Sequence, residues 1–112
     1  MMDKDELYLL ALSRFGLTGQ INMVFEKFAE LQKELCKFLR GKRDMIHIGE
    51  EIADCEIMLD QMKFFFKNSD YVEEVKKKKL KRLEFRLTPR TKGEAPMTDE
   101  ILYDDEVMGR NK

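Results

Sequence analysis

The chain is short of histidine, proline, paired cysteines and long apolar runs, and each shortage closes off a class of protein. No apolar stretch approaches the roughly 18 residues that mark a membrane span, and the mean hydropathy of −0.52 agrees. The opening MMDKDELYLL carries acids early and no long apolar core, which argues against a secretory leader. Cys36 and Cys55 are spaced like neither a zinc knuckle nor a redox pair. Both fall on or beside apolar helix faces and read as buried free thiols in a reducing cytoplasm. The single histidine, His47, reads as a polar filler at a helix start. Net charge is −1, so no global basic field exists to hold nucleic acid.

What remains is a chain of 112 residues, 43% hydrophobic and 38% charged, with helical periodicity and little proline. That combination predicts one all-α domain. The most informative stretch is HIGEEIADCEIMLDQMKFFF, His47 to Phe66. At about 100° per residue, Ile48, Ile52, Cys55, Leu59, Met62 and Phe66 form an apolar stripe, widened by Met58 and Phe65. Glu56 and Asp60 fall on the opposite, solvent arc. Glu51 projects between Met58 and Met62, inside the apolar arc, and Asp54 sits at its margin. Carboxylates are seldom fully buried without a partner. Three residues apart, this pair reaches one side of the helix and calls for a cation, a basic side chain or a shared proton.

The rest of the chain supplies neighbours. Residues 4–14 predict a short helix with Leu7, Leu10, Ala11 and Arg14 at three-four spacing, ended by Gly16, with Thr18 as the next N-cap. A second helix is predicted over 19–39. Its stripe is Ile21, Val24, Phe28, Leu31, Leu35 and Phe38, broadened by Phe25 and Cys36, and Glu26, Glu30 and Glu34 form a ladder on its solvated side. Gly41 ends it, and Asp44 caps a third helix running to about Lys67. A fourth, strongly basic helix is predicted over 71–87, with Val72, Val75, Lys79, Leu80, Leu83 and Leu87 on one stripe. Lys79 on that stripe should snorkel or meet an anion. Residues 88–112 hold both prolines and read as a flexible tail or one docked on a partner subunit through Ile101, Leu102, Tyr103 and Val107. The expected organisation is therefore 1–17, 18–87 and 88–112. The consecutive Phe64, Phe65 and Phe66 fan out around the helix, so at least one should meet another subunit.

The second and third helices, joined by a short turn, should be antiparallel neighbours. Counted outward from the turn at about 1.5 Å per residue, Glu30 and Asp54 lie at matching heights. Glu26 and Glu30 then face Glu51 and Asp54, four hard oxygen donors suited to Mg²⁺, with Mn²⁺ as a substitute. Such an ion keeps waters and takes up substrate phosphates, which Lys79 and Arg82 of the basic helix can neutralise. Metal-activated water at Glu51 and Asp54 then suffices for phosphoanhydride hydrolysis.

FEKFAEL (Phe25 to Leu31), GEEIADCEIMLDQM (Gly49 to Met62), LCKFLRGK (Leu35 to Lys42) and KKKLKRLEFRL (Lys77 to Leu87) together resemble the MazG-like all-α nucleoside triphosphate pyrophosphohydrolases, in their short single-domain bacterial and phage form. The family pattern is EExxE on one helix and EExxD on the next. The resemblance covers about two-thirds of the chain. It implies a four-helix bundle assembled as a dimer or dimer of dimers, and Mg²⁺-dependent cleavage of a nucleoside triphosphate to the monophosphate and pyrophosphate. It also implies that Glu30, Glu51 and Asp54 ligate metal, and that a lysine and an arginine of the closing helix serve the phosphates. One position departs: Lys27 stands where the pattern has its second glutamate. The alternatives are a degenerate, non-catalytic helical module that binds nucleotide or a partner, and a small nucleic-acid binder built on the lysine run.

Overall fold

A computed structural model describes residues 1–89; the tail residues 90–112, including the expected docking residues, lie outside the described part. The described residues are all-helical, without strands: α1 is Lys4–Leu39, α2 is Met45–Phe66 and α3 is Ser69–Leu87. No described helix is long and apolar enough to cross a membrane.

Three helices stand where four were expected, because the predicted break at 15–19 shrinks to one residue. Gly16 alone leaves helical geometry, at φ 77° and ψ 162°, and α1 resumes at once. That conformation is essentially reserved for glycine. A Cβ there would meet nothing within 4 Å, so the requirement lies in the backbone and not in crowding. Thr18 is therefore inside α1 and caps nothing.

The helix ends follow local chemistry. Asp3 and Glu6 form a capping box at the start of α1, Asp3 N–H donating to the Glu6 carboxylate at 3.2 Å. At its end, Gly41 N–H donates to Phe38 O at 3.0 Å and Lys42 N–H to Lys37 O at 2.9 Å, a Schellman pair that uses the positive φ of Gly41. Arg43 stacks over the Phe38 ring at 4.2 Å. Asp44 caps α2 as expected, accepting from His47 N–H at 3.0 Å.

The chain divides into two compact units, Met1–Ser69 and a second beginning at Asp70. In the first unit α1 packs on α2. Glu34 meets His47 near the turn, and Lys27 meets Asp54 and Cys55 farther along. The helices are thus antiparallel. A straight α1 would carry Tyr8 past the end of α2. The bend at Gly16 brings it back, so that Tyr8 stacks edge-on against Phe64 at 5.8 Å and donates its hydroxyl to Asp60 at 2.8 Å.

On α2 the predicted stripe is covered at Ile48, Cys55 and Met58, whereas on α1 the covered face is not the one the apolar stripe predicts. Tyr8, Ile48, Cys55 and Met58 are the buried apolar residues, and Gln20, Glu34, Glu51 and Gln61 are buried with them. Leu7, Leu10, Phe25 (64% exposed), Phe28, Leu35, Ile52, Leu59 and Phe66 stay exposed, and Cys36 is exposed rather than buried. α1 therefore has two usable faces, and the more polar one meets α2. In the second unit α3 buries no residue, and its charges pair along the helix, Lys76 with Glu73 at 3.5 Å and Lys77 with Glu74 at 4.0 Å.

Candidate metal centre

The antiparallel register brings acids from both helices to one level. One carboxylate oxygen each of Glu30, Glu51 and Asp54 lies within 4.8 Å of the other two. Neighbouring oxygens of an octahedral Mg²⁺ shell are about 3.0 Å apart and opposite ones about 4.2 Å, so the three side chains would draw in to close around one ion. Glu30 comes from α1, and Glu51 and Asp54 from successive turns of α2. Glu26, also expected here, is exposed and is not among the converging residues. It sits about 100° around the helix from Lys27, which points inward instead.

Glu51 is the unusual member. It is only 8% exposed. Its Oε2 lies 3.5 Å from His47 Nε2, while its Oε1 is buried without a hydrogen-bond partner. A buried carboxylate oxygen left unpaired costs on the order of 1–3 kcal/mol or more. An oxygen-loving cation is the kind of group that removes this cost, and the donor set is all carboxylate, as a hard ion prefers.

Lys27 stands at the rim. Its Nζ is 3.5 Å from Glu30 Oε1 and 3.9 Å from Asp54 Oδ2. The charge of Glu30, with help from Asp54 and Glu51, holds the ammonium above the usual lysine range. Three carboxylates and one ammonium leave a formal charge of −2, the deficit one divalent ion fills. Behind the site, the buried Cys55 thiol donates to the Lys27 carbonyl at 3.3 Å. Burial, reinforced by Glu51, Asp54 and Glu30, pushes this thiol up, which suits a packing role and not a nucleophile.

Closer to the turn lies a second polar group that the sequence reading misassigned. Glu34, placed there on the solvated ladder, is 5% exposed. Its Oε2 sits between Lys37 Nζ at 3.2 Å and His47 Nε2 at 3.3 Å. His47 faces Glu50 through Nδ1 at 3.3 Å, so carboxylates flank both ring nitrogens. The Glu50 contact, followed by the Glu34 and Glu51 charges, raises its pKa against the opposing effect of burial. His47 is thus more than a polar filler at the helix start: its partners are Glu34, Glu50 and Glu51. The hairpin count that matches Glu30 with Asp54 puts Glu34, one helical turn nearer the Gly41 turn, level with Glu50, the other carboxylate beside His47.

At the far end, Asp60, which the periodicity puts on the solvent arc, is drawn into contacts instead. It accepts from Tyr8 Oη at 2.8 Å and faces Lys4 Nζ at 3.0 Å and Lys63 Nζ at 3.8 Å. The Lys4 and Tyr8 hydrogen bonds hold its carboxyl below the usual aspartate range. Desolvation, aided by Asp60, pushes the Tyr8 phenol up to about 12. Tyr8 was missed because leucines flank it, although a phenol on an apolar stretch implies a hydrogen-bond partner. Lys79 and Arg82, the expected phosphate ligands, both lie on α3 in the second unit, and Lys79 is exposed.

No protein-family model, no curated protein and no solved structure matches the chain.

Proposed function

We propose that the protein is a Mg²⁺-dependent nucleotide pyrophosphohydrolase, cleaving a nucleoside triphosphate or a modified nucleotide to the monophosphate and pyrophosphate. The observation that carries this reading is the buried Glu51 carboxylate, which has no hydrogen-bond partner at Oε1 and offers one oxygen to a group of three converging carboxylates. Glu30, Glu51 and Asp54 hold the ion, and its chemistry when bound is charge neutralisation of the phosphates and a water of lowered pKa. Glu51 and Asp54 orient that water as hydrogen-bond acceptors. His47, flanked by Glu34 and Glu50, faces Glu51 Oε2 and leaves Oε1 for the ion. Lys79 and Arg82 serve the phosphates, an assignment that rests on the resemblance to MazG-like enzymes.

The working form in this reading is a homo-oligomer, a dimer or dimer of dimers, in which hairpins from separate chains complete a four-helix bundle. The exposed Phe25, Phe28 and Leu35 on α1 and Ile52, Leu59 and Phe66 on α2 support it, since apolar faces of this extent mark interaction surfaces. Pyrophosphate release from a panel of ordinary and modified nucleoside triphosphates, with and without Mg²⁺, tests the activity. Mg²⁺-dependent release from at least one of them is expected. Release from none, together with no effect of Mg²⁺ on thermal stability, removes the reading.

A second reading, a degenerate helical module without turnover, is favoured by one observation: the Lys27 ammonium stands against two of the three acids. Nucleotide binding without hydrolysis would support it.

A further inference from the structure

We propose that the Lys27 ammonium is a resident counter-cation of the Glu30–Glu51–Asp54 cluster, displaced by a single divalent ion and handed over to the phosphates that the ion draws in. The proposal rests on the metal-centre reading above and gives the departure at this position a role.

Four features carry it. The ammonium is loosely held, its 3.5 and 3.9 Å contacts being well beyond the roughly 2.7–2.9 Å of a tight charge-assisted hydrogen bond. It neutralises the rim and leaves the floor, since Glu51 Oε1 has no partner although an ammonium stands in the same cluster. It has somewhere to go: the side chain is 30% exposed, on a flexible four-carbon stem. Its backbone meanwhile stays anchored, because the Cys55 thiol holds the Lys27 carbonyl. Displacement therefore moves the charge without moving the helix.

The charges set the stoichiometry and the hand-over. With Lys27 present, one divalent ion brings the formal charge of the cluster to zero, and a second would leave a surplus of two beside a repelling ammonium. Without Lys27, an ion-loaded cluster would keep a net negative charge and repel a polyphosphate. The same residue thus weakens ion binding and strengthens phosphate binding, opposite effects that a merely structural lysine would not produce.

The test is equilibrium Mn²⁺ binding, followed by paramagnetic resonance of the free ion, for the full chain and for Lys27→Met, Lys27→Gln and Lys27→Glu. Binding of inorganic pyrophosphate to each Mn²⁺-loaded form is then measured by calorimetry. One ion per chain is expected in the unaltered protein. Lys27→Met and Lys27→Gln should bind Mn²⁺ at least about tenfold more tightly, since a unit charge about 4 Å from a divalent ion repels it by more than that factor even at the dielectric of water, and Lys27→Glu more tightly still. Pyrophosphate should bind Lys27→Met about tenfold more weakly. Equal Mn²⁺ affinity in the unaltered chain and Lys27→Met overturns the counter-cation role, and equal pyrophosphate affinity overturns the hand-over, while the metal centre survives both results. Absence of Mn²⁺ binding in every form overturns this proposal and the metal centre together.

Discussion

Asp60 and Glu51 are both acids drawn into the hairpin of α1 and α2, and they differ in what meets them. Asp60 has a phenol and two ammonium groups within 4 Å. Glu51 has a histidine at one oxygen and nothing at the other, although it is the more deeply buried. A satisfied acid at the open end of a helix pair fastens it. An acid left half-satisfied at the middle is a stability deficit that folding alone does not explain, and a ligand does. Replacing each should therefore have opposite consequences.

The largest expected effect is on turnover. Glu51→Gln should lower Mg²⁺-dependent hydrolysis by more than about a hundredfold, with thermal stability in the absence of metal unchanged or raised because like-charge repulsion falls. Asp60→Asn should do the reverse, lowering stability while leaving ion binding intact. Loss of activity and of stability together in Glu51→Gln would erase the distinction.

Next in size is Gly16→Ala. Forcing a side chain into that backbone conformation costs about 1–3 kcal/mol, and the chain can escape only by straightening α1 and withdrawing Tyr8 from Asp60. Urea unfolding measures the loss, and Tyr8→Phe in the same background should then add almost nothing. In the unaltered chain Tyr8→Phe should cost about 1 kcal/mol, the hydrogen bond being only partly buried. Full additivity of the two changes would mean that the bend does not position Tyr8.

The smallest effects are in pH. The folded-state pKa of Asp60 is depressed, so its contribution is present above the ordinary aspartate range near 4 and is lost as pH falls through the lower folded value. That of Tyr8 is raised, so its contribution is intact below about pH 10 and lost as pH climbs toward about 12. Both losses should shrink in Tyr8→Phe, the alkaline one vanishing. An unchanged alkaline limb would place its origin elsewhere.

The parts of this arrangement that were legible in the sequence are those governed by a single helix or a single turn. Glu51 and Asp54 converge because they are three apart, and the Gly41 turn with its Asp44 cap sets an antiparallel register that brings Glu30 to them. What was not legible depends on which of two adjacent faces a neighbour covers. The periodicity of α1 marks Phe25, Phe28 and Leu35 as core, yet α2 covers the arc of Gln20, Lys27 and Glu34. A stripe reports that a face is apolar, and its owner need not be in the same chain. Gly16 illustrates another limit: composition signals a break there, but a one-residue bend and a loop of several residues look alike until the packing of Tyr8 is known.

The central claim is that Glu51 is buried for the sake of an ion. Mn²⁺ binding compared among the unaltered chain, Glu51→Gln and Asp60→Asn tests it most directly. One ion per chain, lost in Glu51→Gln and retained in Asp60→Asn, is the predicted pattern. Equal binding by all three, or by none, would contradict it.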